Sequence, residues 1–121
     1  MKKLESRILQ SIIMGTEYKI KTDAVKCLPG NNPQKVMHYF LNDFLVAVID
    51  KENRTITINP KINGIKKGKA YKDRVLLLLS QFSPSILLLE TETYALSNDV
   101  HIRKLDNKAV TVNYHGVFQD V

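Results

Sequence analysis

The segment from residue 45 to residue 59 constrains the fold more than any other part of the sequence. An aliphatic run, Leu45–Ile49, and a run of alternating threonine and isoleucine within Arg54–Asn59 flank a polar tetrapeptide. In the second run threonine alternates with isoleucine, so its apolar side chains fall on one face of an extended chain. The pattern predicts a β-hairpin, and Pro60 is suited to end its second strand because proline cannot donate to a sheet ladder.

Two helices are predicted to pack on the strands. Apolar residues spaced three and four apart predict an amphipathic helix over residues 2–14, which Gly15 can cap, and a second helix from Ala70 to about Phe82. The second helix is apolar on most sides and must therefore be buried. A chain of 121 residues fits one domain. The expected fold is a single α+β domain, residues 1–121, with antiparallel β-hairpins packed by an N-terminal and a central helix.

The last third of the chain is predicted to be rich in β-structure. Residues 86–89 and 91–96 have the composition of strands, and Val100–Lys104 and Ala109–Tyr114 are predicted to pair as a second hairpin. An exposed strand such as Ala109–Tyr114 would also offer an edge to a second copy of the chain. A homodimer therefore remains an open alternative.

Residues 35–50 fit two different structures. In one, the strands Val36–Leu41 and Phe44–Ile49 flank an Asn-Asp turn, since both residue types tolerate positive φ. In the other, Asn32 caps a helix that has Pro33 at its first position and an apolar stripe along one side. Local chemistry leaves both structures open.

The helical alternative would give the chain the lengths of a winged helix. A recognition helix over residues 32–43 would be followed by a wing over residues 44–59. The major groove would then be faced by Lys35, His38, Tyr39 and Asn42. Under this alternative the protein is a DNA-binding transcriptional regulator.

The charge balance favours anionic partners. The chain has 18 Lys and Arg against 12 Asp and Glu, a net charge of +6. Its densest basic stretch also holds an aromatic residue that could stack on a base, while the cations neutralise phosphates. This basic segment is the predicted binding site for nucleic acid or an acidic partner surface, and its residues are Lys61, Lys66, Lys67, Lys69, Tyr71, Lys72 and Arg74.

No catalytic or metal-binding motif is found. The three histidines do not have the spacing of a helical metal site, and the pair Glu90 and Glu92 fits a solvated strand better than an acid–base pair. A lone cysteine, Cys27, allows no internal disulfide and suits a reducing compartment. No segment reaches the roughly 18–20 apolar residues that span a bilayer. We therefore expect a cytoplasmic, non-enzymatic protein with no cofactor, no metal and no membrane partner.

Residues 41–50, the run Asn53–Ile58 and the helix start Lys72–Leu76 together resemble a pattern in small uncharacterised proteins of tailed bacteriophages. The resemblance covers about residues 35–80, and it favours the hairpin structure for residues 35–50. It implies a phage-encoded accessory protein acting in the host cytoplasm. The leading hypothesis is a factor that binds and inhibits a host protein or protein–nucleic acid complex, either host defence or nucleic-acid-processing machinery.

Overall fold

A computed structural model describes residues 3–60, 68–90, 93–106 and 108–119. Within these ranges the chain forms two α-helices and nine β-strands. The helices are α1 (Lys3–Met14) and α2 (Gly68–Phe82). The strands are β1 (Tyr18–Ile20), β2 (Asp23–Lys26), β3 (Val36–Leu41), β4 (Phe44–Asp50), β5 (Thr55–Ile58), β6 (Leu87–Glu90), β7 (Tyr94–Ser97), β8 (Ile102–Lys104) and β9 (Val110–Asn113).

The strands form two antiparallel sheets. The larger sheet has the order β1-β2-β3-β4-β5-β9, and the smaller sheet has the order β6-β7-β8. Both predicted helices and the hairpin of β4 and β5 are present. The predicted α+β class, with an N-terminal and a central helix, is confirmed.

The open question at residues 35–50 is decided in favour of a hairpin. Strands β3 and β4 pair along their whole length around Asn42 and Asp43, whose φ angles are 51° and 63°. Such angles belong to a type I′ turn, which matches the twist of the flanking strands and is incompatible with a right-handed helix. The alternative recognition helix over residues 32–43 is therefore wrong, and with it the winged-helix geometry.

The predicted hairpin of residues 100–104 and 109–114 is also wrong. Strand β8 pairs with β7 in the smaller sheet, whereas β9 pairs with β5 in the larger one. The partner of β9 is non-local: the hydroxyls of Thr57 and Thr111 lie 2.7 Å apart, and Val112 is opposite Ile56. Strand β9 buries Val110 and Val112 in the core beside β5, whereas Ile102 of β8 is 58% exposed, so the burial gained by β9 next to β5 outweighs the proximity of β8 and β9 in sequence.

The outer edge of β9 is partly covered by the C-terminal segment. Phe118 forms a bridge with Val112, and the Gln119 amide donates to the carbonyl of Thr111 at 2.8 Å. The residues after β9 thus bond to part of the backbone edge of β9, the edge that was predicted to be available to a second copy of the chain.

Both helices contribute to the core on the same face of the larger sheet. Ile8 and Ile12 of α1 and Leu78 of α2 are fully buried with Tyr39 and Ile49 of the sheet. The smaller sheet packs on α2 through Leu88, Tyr94 and Leu96. The opposite face of each sheet is therefore left without a described helix on it.

The C-terminus of α1 lies where three segments meet. Gly15 follows the helix with a φ of 71°, as its predicted capping role requires. The Lys51 ammonium donates to the carbonyl oxygens of Ile12 at 2.9 Å and Pro33 at 2.8 Å. A cation on the last carbonyls of a helix complements its dipole, so Lys51 joins α1 to the turn before β3.

Candidate functional site

The basic segment is only partly within the described residues. Lys61, Lys66 and Lys67 lie in residues 61–67, outside those described. Lys69 is exposed in the first turn of α2. The remaining three members are on the same helix, and the structure gives each a different environment.

Tyr71 belongs to the core. Its side chain is fully buried, its hydroxyl donates to the carbonyl of Asn59 at 2.6 Å, and its ring centre lies 5.5 Å from that of Tyr94. Burial raises the pKa of Tyr71 well above its ordinary value. The ring cannot stack on a base without leaving the core, so its predicted role in base stacking does not fit this position.

Arg74 also points inward. Its Nε donates to Asp23 Oδ1 at 2.8 Å, and the hydroxyl of Tyr39 donates to the same oxygen. Asp23 is 3% exposed and Tyr39 is fully buried. Burial opposes the charge on Arg74, but Asp23 and Tyr39 together outweigh it, and the pKa of Arg74 is raised. Arg74 thus joins α2 to β2 and β3, and its charge is already neutralised.

Lys72 pairs with Glu90 of β6 in an exposed ion pair. This pair connects α2 to the smaller sheet. Glu90 is one of the two carboxylates considered above as an acid–base pair, and the other, Glu92, lies outside the described residues. Of the described members of the basic segment, Lys69 and Lys72 face solvent, whereas Tyr71 and Arg74 are directed into the core.

A surface that the sequence did not indicate lies on the smaller sheet. Leu87 and Ile102 stand in one row across the three strands, on either side of Ser97. Each is 58% exposed, and Val100 in the β7–β8 turn is 79% exposed. We call these three residues the outer apolar face. The run of apolar residues at 86–89 has no alternation, so its sequence gave no signal of which side chains point outward.

A second surface is the open side of the larger sheet. Lys19, Ala24 and Phe40 stand side by side on β1, β2 and β3. The Lys26 ammonium lies 5.3 Å from the centre of the Phe40 ring, within the range of a cation–π contact. We call the surface of Lys19, Lys26 and Phe40 the Phe40 face. Strand β3 was one of two structures predicted for its residues, and the composition of this face depends on a register that the sequence does not reveal.

The three histidines differ in their exposure to solvent. His101 and His115 are exposed, whereas His38 on β3 is 6% exposed and accepts a long hydrogen bond of 3.5 Å at Nδ1 from the Leu28 amide. Burial lowers the pKa of His38 below its ordinary value. The described residues contain no group of three or more His, Cys, Asp or Glu side chains that could hold a metal ion.

The burial of His38 predicts a pH-dependent stability. The unfolded chain binds the proton more tightly than the folded chain, so this contribution is complete above about pH 6.5 and is lost as the pH falls through the lowered pKa. We expect the free energy of unfolding to fall between about pH 7 and about pH 5, and to fall less in His38→Gln, which does not titrate. Urea unfolding at several pH values measures both slopes.

His101→Gln is the matched control, because His101 is exposed and its replacement leaves the buried imidazole of His38 in place. The control should keep the slope of the unaltered protein. Parallel slopes for His38→Gln and the unaltered protein would contradict the prediction.

The architecture is that of an α+β protein in which helix α2 contacts strands of both antiparallel sheets. None of the described helices is long and apolar enough to cross a membrane. Comparison of the chain with protein-family models, curated proteins and solved structures gave no match.

Proposed function

We propose that the protein acts by binding rather than by catalysis, as a phage-type accessory factor that binds and inhibits a host macromolecular complex. The observation that carries the proposal is the outer apolar face. Leu87 and Ile102 are each 58% exposed on one side of the smaller sheet, and Val100, in the turn that joins β7 to β8, is 79% exposed. Clustered apolar side chains at a protein surface are typical of a protein interface.

The neighbouring residues give this face the form of an interface. Leu89, Ala95 and Lys104 form the next row across the same side of the sheet. Leu89 is half-buried and Ala95 is 3% exposed, so the accessible apolar surface lies mainly at Leu87 and Ile102, and Lys104 is exposed beside them. An apolar centre with a polar rim is the usual anatomy of a protein–protein contact.

Burial of these exposed side chains by a partner would contribute substantially to the free energy of binding. Complete burial of a leucine or isoleucine side chain contributes about 1.5–3 kcal/mol relative to exposure. The identity of the partner as a host defence or nucleic-acid-processing complex rests on the resemblance of residues 41–50, 53–58 and 72–76 to phage proteins, and forms part of the proposal.

The test is a binding comparison with the variant Leu87→Lys/Ile102→Lys. Affinity-tagged protein is used to isolate a complex from a bacterial host lysate, and the recovered complex is then purified and titrated with each variant. We expect the double variant to bind at least about tenfold more weakly, because two lysines would have to be desolvated in the contact. The activity of the complex should fall on addition of the unaltered protein.

Ile13→Lys/Met14→Lys is the matched control, since these residues are 50% and 54% exposed at the end of α1. Circular dichroism verifies that both variants fold. Equal binding by the Leu87→Lys/Ile102→Lys variant, or equal loss in the control, would exclude the outer apolar face as the interface. Unchanged activity of the bound complex would exclude inhibition.

A further inference from the structure

The Phe40 face is on the side of the larger sheet on which no described helix packs, although Ala24 and His38 in its two rows are each only 6% exposed. Tyr39, the neighbour of Phe40, points to the opposite face, where its hydroxyl meets Asp23 and Arg74 of α2. The buried side chains Ile8 and Ile12 of α1 belong to the same core. Within the described residues, both helices therefore pack against the side away from Phe40.

The composition of this open side departs from that of an ordinary solvated sheet face. An antiparallel sheet with one solvated face is expected to alternate between apolar residues inside and polar residues outside. Here Phe40 and Leu45 stand next to each other in one row, and Val48 stands next to His38 in the following row. Phe40, Leu45 and Val48 are each half-buried.

The charges on this side are all positive along two rows. Lys19 lies in the row of Phe40, and Lys26 lies in the row of His38. The two rows contain no carboxylate, and the described residues form no ion pair with either lysine. Thr57 and Thr111 continue the second row with paired hydroxyls. The surface thus presents one half-buried aromatic ring, two lysines without a described ion pair, and hydroxyl groups.

We propose that the Phe40 face binds single-stranded nucleic acid. An unpaired base stacks on the Phe40 ring in place of the Lys26 side chain, and the released ammonium and Lys19 contact the flanking phosphates. Stacking platforms of this kind need an accessible aromatic ring and adjacent cations. A base within a duplex presents no free face for stacking, so single strands are preferred.

This inference concerns a different surface from the outer apolar face and does not depend on the proposed function. Purified protein is titrated into fluorescein-labelled oligothymidine of about 12 nucleotides, and fluorescence anisotropy gives the affinity at several salt concentrations. We expect Phe40→Leu to weaken binding by about tenfold, the loss of one stacked base. We expect Lys19→Ala/Lys26→Ala to weaken it by about tenfold and to reduce the salt slope by about 1.4, the value for two lost phosphate contacts.

Two further variants separate this face from other basic surfaces. Lys104→Ala/Lys108→Ala removes two exposed lysines elsewhere and should retain full affinity. Lys69→Ala/Lys72→Ala tests the basic segment on α2 and should also retain most of it. The proposal is overturned if the oligonucleotide does not bind, if a duplex of equal length binds as tightly, or if only the Lys69→Ala/Lys72→Ala variant loses affinity.

Discussion

Replacing Arg74 by alanine is expected to lower the free energy of unfolding by about 3 kcal/mol, because it leaves a buried carboxylate without its cation. Asp23 is 3% exposed and receives hydrogen bonds from both Arg74 and the hydroxyl of Tyr39. Without the guanidinium, Asp23 must remain charged in an apolar environment or take up a proton. Either outcome reduces the stability of the contact between α2 and the larger sheet.

The same helix provides a matched control. Lys72 forms an exposed ion pair with Glu90, and exposed pairs contribute little because water and salt screen them. Lys72→Ala should therefore leave the urea unfolding curve almost unchanged, while Arg74→Ala shifts it strongly. The double variant Asp23→Ala/Arg74→Ala should cost less than the sum of the two single changes, since the stranded charge is gone. Similar curves for Lys72→Ala and Arg74→Ala would contradict this account.

Gly15→Ala is expected to destabilise the protein by about 3 kcal/mol, through a strained backbone and a steric clash together. The φ angle of Gly15 is +71°, and a Cβ there would lie 2.5 Å from the carbonyl oxygen of Pro33. That oxygen is backbone and also accepts a hydrogen bond from Lys51. It cannot move without disturbing the turn before β3, so the structure cannot relieve the clash without a further loss of stability.

Gly30→Ala isolates the backbone contribution. Gly30 has a similar φ of +87°, but a Cβ there would meet no atom within 4 Å. This variant should cost only about 1 kcal/mol, the penalty of a left-handed conformation. Thermal and urea unfolding of the two variants measure the difference. Equal destabilisation would show that the contact with Pro33 carries no cost.

Local sequence signals predicted most of the elements of the fold. The hairpin of β4 and β5 followed from alternation in Thr55–Ile58, and both helices followed from apolar spacing. The turn at Asn42 and Asp43 was one of two alternatives, because the same residues also offered a helical stripe. Pairing with β2 on the other side of β3 stabilises the strand conformation, and that partner is distant in sequence.

The candidate site was predicted less completely than the fold. A cluster of basic residues in the sequence shows where charge is concentrated, but it does not show which side chains point to solvent and which to the core. On α2 both orientations occur among the residues of the basic segment. Tyr71 and Arg74 turn into the core, whereas Lys69 and Lys72 face solvent. The Phe40 face joins residues of three strands, so no window of the sequence contains it.

The sequence by itself determined the α+β class, the positions of the two helices, the β4–β5 hairpin and the glycine cap of α1. These features depend on periodicity, turn chemistry and capping within a few residues of one another. Only the tertiary structure decided that β9 joins β5, that Arg74 meets Asp23 and that Leu87 and Ile102 face outward. Those outcomes depend on contacts between residues far apart in sequence, where burial of apolar surface and neutralisation of charge select one arrangement from several that are locally acceptable.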